Sequence, residues 1–114
     1  MRLFLAVAAA APLLLLATPA SARPARCVIV AAGEEFRGPC EFAPQAGGSF
    51  SVTPHGDRVL TGDVTALSLT IVSPGLAEVR GLTRAGVNSR WGEARRARHD
   101  RACWDGSDFR LCVY

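Results

Sequence analysis

Lysine is absent from this chain, and several motifs that mark common enzyme classes are absent with it. Without lysine there is no Schiff-base nucleophile and no phosphate-binding loop that ends in Gly-Lys-Ser or Gly-Lys-Thr. The sequence also lacks Gly-x-Ser-x-Gly and His-Glu-x-x-His, the signatures of many serine hydrolases and zinc proteases. It has no Cys-x-x-Cys redox motif either. We therefore expect a protein that is not an enzyme and that holds no cofactor.

The sequence also has few long apolar runs: there is one, at the amino-terminal end. Arg2 supplies a positive start, residues 3–17 are apolar, and residues 20–22 read Ala-Ser-Ala, the pattern that a signal peptidase cleaves. A membrane anchor is the alternative, because residues 3–22 are about as long as the roughly 20 residues that such an anchor needs, but Pro12 and Pro19 interrupt them. We expect residues 1–22 to be a cleaved signal peptide. Residues 23–114 would then be periplasmic or secreted, with no membrane span.

The chain that remains after cleavage is small and mildly basic. Removing 22 of the 114 residues leaves 92, which is one small domain. Its 12 arginines and 10 acidic residues give a net charge of +2, so a nucleic-acid partner is not expected. Binding to an anionic partner is the functional interpretation of its one basic segment, and a solvated surface is the alternative. Six arginines make up that segment: Arg84, Arg90, Arg95, Arg96, Arg98 and Arg101.

The four cysteines occur as two pairs, each close in sequence. Disulfides persist in exported proteins, and four cysteines allow three pairings. Each close pair brackets a plausible hairpin, in which opposed residues lie within disulfide reach, so Cys27–Cys40 and Cys103–Cys112 are favoured. The crossed pairing, Cys27–Cys112 with Cys40–Cys103, is the alternative. A zinc site is not expected, since no two cysteines are two to four residues apart.

Alternation with a period of two indicates strands through most of the chain. Residues 64–72 show it best, and a Ser-Pro-Gly turn separates them from a returning strand at residues 76–82. We predict an all-β domain, an antiparallel meander of six to eight short strands that forms a sandwich or a partly open barrel. Residues 91–101 are rich in alanine and arginine, so we predict a short helix or a loop there. The bulky aromatic residues are expected in the core: Phe42, Phe50, Trp91, Trp104 and Phe109.

Two histidines are the remaining catalytic candidates. His55 shares a turn with Asp57, and His99 precedes Asp100. A His–Asp contact raises the basicity of the imidazole, so a small hydrolase that uses His55 and Asp57 is a remote alternative. No nucleophile accompanies either histidine, and solvated surface histidines are therefore the favoured interpretation.

Short motifs give the chain a resemblance to known proteins. They are Gly-Pro-Cys-Glu-Phe at residues 38–42, Gly-Gly-Ser-Phe at 47–50, Ala-Cys-Trp at 102–104 and Phe-Arg-Leu-Cys at 109–112. With them the chain resembles a group of small exported proteins of Gram-negative bacteria that carry Gly-x-Cys-x-Phe, Gly-Ser-Phe and a terminal Ala-Cys-Trp…Cys. The resemblance implies export, two disulfides and the fold. It does not point to any particular activity. In general type the chain is also similar to periplasmic lysozyme inhibitors, which are small, β-rich and disulfide-bonded.

We expect, from these observations together, an exported, non-enzymatic binding protein of the bacterial cell envelope. Its partner would be an envelope protein or a glycan, and inhibition of a cell-wall hydrolase is one specific version. A structural or stress-related periplasmic protein without a tight ligand is the alternative.

Overall fold

Each strand of this chain pairs antiparallel with the next, and the last strand pairs with the first, so the sheet closes into a barrel. The computed structural model describes residues 8–10 and 22–114. The signal peptide predicted at residues 1–22 therefore lies outside the described residues, apart from residues 8–10 and 22. The strands are β1 (Arg23–Ala31), β2 (Glu34–Pro44), β3 (Phe50–Pro54), β4 (Val64–Ser73), β5 (Leu76–Thr83), β6 (Asn88–Arg96), β7 (Cys103–Gly106) and β8 (Phe109–Val113).

Helical structure in the described residues is limited to one 3-10 turn, Ala46–Gly48, between β2 and β3. No helix in this part of the chain has the length and apolar character needed to cross a membrane. The all-β prediction is confirmed. The barrel is closed rather than partly open, because β8 pairs with β1 over five residues, from Cys27 opposite Val113 to Ala31 opposite Phe109.

The interior of the barrel is filled by the inward residues of every strand. In β1, Ile29 is fully buried whereas the neighbouring Val30 is 39% exposed, as the pleat of a strand requires. Leu67 and Leu69 of β4 are each 1% exposed, which confirms the face predicted from their alternation with polar residues. Burying a side chain of this size contributes roughly 1.5–3 kcal/mol.

The predicted aromatic core is confirmed in its centre and extends to its edge. Trp104 is 2% exposed, and Phe50 and Phe109 are each 6% exposed. Phe42 and Trp91 are only partly buried and pack against this core from its margin. The barrel is therefore packed with side chains along its middle, and the room for a ligand lies at its ends or on its outer wall.

Residues 91–101 differ from the prediction of a helix or loop. β6 continues to Arg96, so the prediction is wrong for residues 91–96, and only the connection from residue 97 to 102 is a loop or turn. Helix propensity is worth less than about 1 kcal/mol per residue. Here it is outweighed because β5 and β7 both pair with β6 and because Ala94, 1% exposed, fits between Ala77 and Gly106.

The two disulfides are Cys27–Cys40 and Cys103–Cys112, which confirms the favoured pairing and excludes the crossed one. Cys27 and Cys40 are fully buried in the main core and lie diagonally across β1 and β2, with Cα atoms 5.9 Å apart. Cys103 lies directly opposite Cys112, with Cα atoms 4.0 Å apart. This second bridge belongs to a separate small cluster with Val28 and Ala97.

Candidate functional site

The two ends of the barrel differ in charge and in shape. In a meander, successive connections alternate between the ends, so the β6–β7 loop shares an end with the β4–β5 turn. A hydrogen bond from the Arg96 backbone N–H to the carbonyl oxygen of Gly75, 3.0 Å long, joins the two connections. We call this the basic end, and define it by Arg95, Arg96, Arg98 and Arg101.

The four arginines of the basic end come from the last two residues of β6 and from the loop that follows. All four are exposed, and within residues 22–114 none forms an ion pair. The guanidinium carbon of Arg96 lies 4.6 Å from the centre of the buried Trp104 ring, so that side chain also covers the core. Arg98 and Arg101 have no such packing role in the described chain.

The other two arginines of the predicted segment lie elsewhere. Arg90 is on the outer wall, where its Nε atom is 3.0 Å from Oε1 of Glu78. Arg84 follows β5 at the opposite end of the barrel, and its Nη2 atom donates to the carbonyl oxygen of Asp57 at 3.1 Å. The structure thus divides the predicted segment: four of its arginines gather at one end and two do not join them.

Two carboxylates near the basic end, Asp105 and Asp100, are already engaged. Asp105 accepts a hydrogen bond from Nε of Arg110 at 2.6 Å, and this bond is the main reason that the pKa of Asp105 is lowered and that of Arg110 is raised. Asp100 accepts hydrogen bonds from the Tyr114 hydroxyl at 2.6 Å and from the Ala102 backbone N–H at 3.0 Å. The Tyr114 bond is the chief cause of the lowered pKa of Asp100. It likewise raises the pKa of Tyr114.

The histidines do not form the contacts that the hydrolase alternative requires. His55 places Nε2 2.9 Å from Oε1 of Glu41, and the predicted contact with Asp57 is not among its hydrogen bonds. His99 places Nε2 3.2 Å from Nη2 of Arg110. Each ring is exposed. In the described part of the chain, no three His, Cys, Asp or Glu side chains gather in a way that could hold a metal ion.

The structure also has a cavity of about 600 Å³ at the end of the barrel opposite the basic end. Sequence patterns did not predict it. Its lining comes from the β1–β2 turn, the β3–β4 loop, β6 and the β7–β8 turn. The one signal in the sequence was Trp91, which strand patterns place only in the core. We call this cavity the mouth.

Comparison of the chain with protein-family models, with curated proteins and with solved structures finds no match. The chemistry of the basic end is plain from its own residues. Each guanidinium group offers a planar fork of N–H donors that fits a phosphate or a carboxylate, and it stays charged at any physiological pH. Because these donors have no acidic partner in residues 22–114, they are available to an anion from outside.

Proposed function

We propose that this chain is an exported, non-enzymatic binding protein of the cell envelope, and that its basic end docks on an anionic partner. The observation that supports the proposal most is the contrast at that end. Four exposed arginines form no ion pair in residues 22–114, whereas two neighbouring carboxylates, Asp105 and Asp100, are held by Arg110 and Tyr114. The two disulfides agree with an oxidising compartment outside the cytoplasm.

The charge at this end defines the partner. Five arginines, the four of the basic end and Arg110, lie near three carboxylates, Asp100, Asp105 and the exposed Glu93 of β6, which leaves a formal net charge of +2. An exposed ion pair contributes about 0.2–1 kcal/mol, so four such pairs together supply roughly 1–4 kcal/mol. Tight binding therefore needs a partner that presents many anionic groups, such as a glycan that carries phosphate or carboxylate along its length.

Retention on immobilised anionic glycan tests the proposal, with the oxidised domain of residues 23–114 as the analyte. Three arginines of the basic end are changed together, and Arg96 is kept because it covers Trp104. A control variant loses the same charge elsewhere on the barrel. The test variant is Arg95→Ser/Arg98→Ser/Arg101→Ser, and the control is Arg37→Ser/Arg80→Ser/Arg84→Ser.

We expect the test variant to elute at lower salt than the wild-type domain, and the control to elute near the wild type. Exposed charges are screened beyond about 8 Å at physiological ionic strength, so only arginines close to the bound anion should matter. Equal elution of the two variants would show that the binding, if any, follows total charge, and would contradict docking through the basic end. An envelope extract passed over the same three domains then shows whether an acidic protein competes with the glycan.

A further inference from the structure

The mouth has the dimensions of a site for a small molecule. Its volume of about 600 Å³ falls within the roughly 300–1,000 Å³ of typical ligand pockets, and barrel mouths are among the places where such pockets occur. It lies at the opposite end from the arginines on which the proposed function rests, so it is a separate site.

The mouth has an apolar floor and one aromatic wall. Val64 and Phe109, 7% and 6% exposed, belong to the core and form the floor. Trp91 is half-buried and meets Phe109 edge to face, with ring centroids 5.4 Å apart. Behind the indole lies Gly81, where even a Cβ atom would be only 2.7 Å from Nε1 of Trp91. The indole is therefore held between a bare strand and a phenyl ring, and the wall is formed before any ligand arrives.

The polar part of the mouth is acidic and largely unpaired. Asp63 and Asp108 are exposed, and within residues 22–114 their carboxylates make no hydrogen bond or ion pair. Glu34 is the third carboxylate, and its Oε2 atom accepts the backbone N–H of Gly62 at 2.8 Å. The one cation of the lining, Arg90, is bound to Glu78 on the outer wall.

A buried hydroxyl supplies an observation independent of the acidic groups. Thr61 lines the mouth and is only 6% exposed, yet its hydroxyl has no hydrogen-bond partner in the described chain. Within residues 22–114, every side-chain N or O atom that is sealed from the surface has a hydrogen-bond partner. The Thr61 hydroxyl has none, so its oxygen is not sealed. The hydroxyl oxygen is therefore accessible from the surface, on a residue that lines the mouth, and it is free to bond a ligand.

We propose that the mouth binds a small organic cation, an ammonium group carried on an apolar body. The ammonium group lies near the carboxylates of Asp63 and Asp108 and beside the accessible part of Trp91, since a cation is attracted both by opposite charge and by an indole ring. The apolar body rests on Phe109 and Val64. An anion is disfavoured by three carboxylates, and a neutral apolar molecule leaves them unpaired.

Titration of the oxidised domain with benzylammonium tests this site, with benzyl alcohol as the neutral probe of nearly the same shape. Tryptophan fluorescence reports on binding, because Trp91 is accessible whereas Trp104 is buried. Trp91→Phe keeps an aromatic wall and should remove the fluorescence change, with binding then followed by NMR shifts of Thr61.

The decisive comparison is between two variants that lose the same charge. In Asp63→Asn/Asp108→Asn we expect affinity for benzylammonium to fall about tenfold, on the scale of two exposed ion pairs. In the control, Glu35→Gln/Glu93→Gln, both changes lie outside the mouth, and affinity should stay near that of the wild type.

Three results would overturn the proposal. They are equal binding of benzyl alcohol and benzylammonium, equal loss in the two variants, and no binding by the wild-type domain at about 10 mM probe, well above the range of useful small-molecule affinity. Loss of affinity in the mouth variant alone supports it. The result is independent of the arginines, because none of the basic end is altered.

Discussion

The contact between Gly81 and Trp91 makes Gly81→Ala the most informative single substitution in the barrel. β5 and β6 are out of step at this point, since Val79 pairs with Gly92 but Arg80 pairs with Arg90, which leaves Trp91 as an extra residue. A bulge of this kind re-aims a side chain, and here the indole is laid across the bare backbone of Gly81. The glycine has no positive φ angle, so alanine at this position meets a steric obstacle and no backbone strain.

The size of the effect follows from the distances. The new Cβ atom would lie 2.7 Å from Nε1 and 3.1 Å from Cε2 of Trp91, and 3.3 Å from Cγ1 of Val64. Overpacking of this kind costs about 1–3 kcal/mol, whereas replacing glycine in a strand returns about 0.5–1 kcal/mol of chain entropy. We expect a net loss of about 1–2 kcal/mol. In a domain of this size that lowers the melting temperature by about 5–15 °C.

A double-mutant cycle separates this contact from any general effect of alanine. Urea unfolding is measured for the wild type, Gly81→Ala, Trp91→Leu and the double variant. Leucine is shorter than the indole and leaves room for Cβ, so Gly81→Ala should be neutral or slightly stabilising in the leucine background, with a coupling of about 1–2 kcal/mol. The same loss of stability in both backgrounds would refute the packing argument, and so would a stable Gly81→Ala variant with unchanged Trp91 fluorescence.

Two further predictions concern the carboxyl-terminal hairpin. Removing the second disulfide by Cys103→Ala/Cys112→Ala should lower the free energy of unfolding by about 2.5 kcal/mol, the chain-entropy value for a short loop, while the barrel still folds. A urea midpoint equal to that of the wild type would contradict this. Tyr114→Phe should raise the pKa of Asp100, because the tyrosine bond is the main cause of its lowered pKa. A carboxyl group whose pKa is lowered on folding stabilises the fold at pH values above its unfolded pKa. This stabilisation is lost as the pH falls through its folded pKa. The Phe variant should thus be less stable than the wild type at pH 7, and the gap should close as the pH falls through the lowered pKa of Asp100, below its ordinary value of 3.8. A gap that persists in strong acid would assign the effect to packing.

Local patterns predicted the hairpins well, because their information lies in adjacent residues. The strand expected at residues 64–72 is β4, Val64–Ser73, and its return at residues 76–82 is β5, Leu76–Thr83. The cysteine pairing was predictable for the same reason, since each bridge closes one hairpin. Cys103 and Cys112 are directly opposed as expected, whereas Cys27 lies opposite Gly38 and reaches Cys40 diagonally.

β6 shows where local reasoning fails. Its alanines and arginines favour a helix when taken alone, but a strand forms because two neighbouring strands offer hydrogen bonds along both of its edges. The division of the arginines has the same origin. Arg84 and Arg101 are close in sequence, yet one lies in the β5–β6 connection and the other in the β6–β7 connection, and β6 spans the barrel between them.

From its sequence alone this chain is all-β, small, lysine-free and bridged within two hairpins, because a period of two, turn residues and cysteine spacing are properties of short segments. Closure of the barrel, the position of the basic end and the existence of the mouth were decided by tertiary structure. They depend on β8 meeting β1, and on three distant connections and part of β6 meeting at one end. Hydrogen bonds between strands far apart in sequence set those positions, and no local pattern encodes which strands will meet.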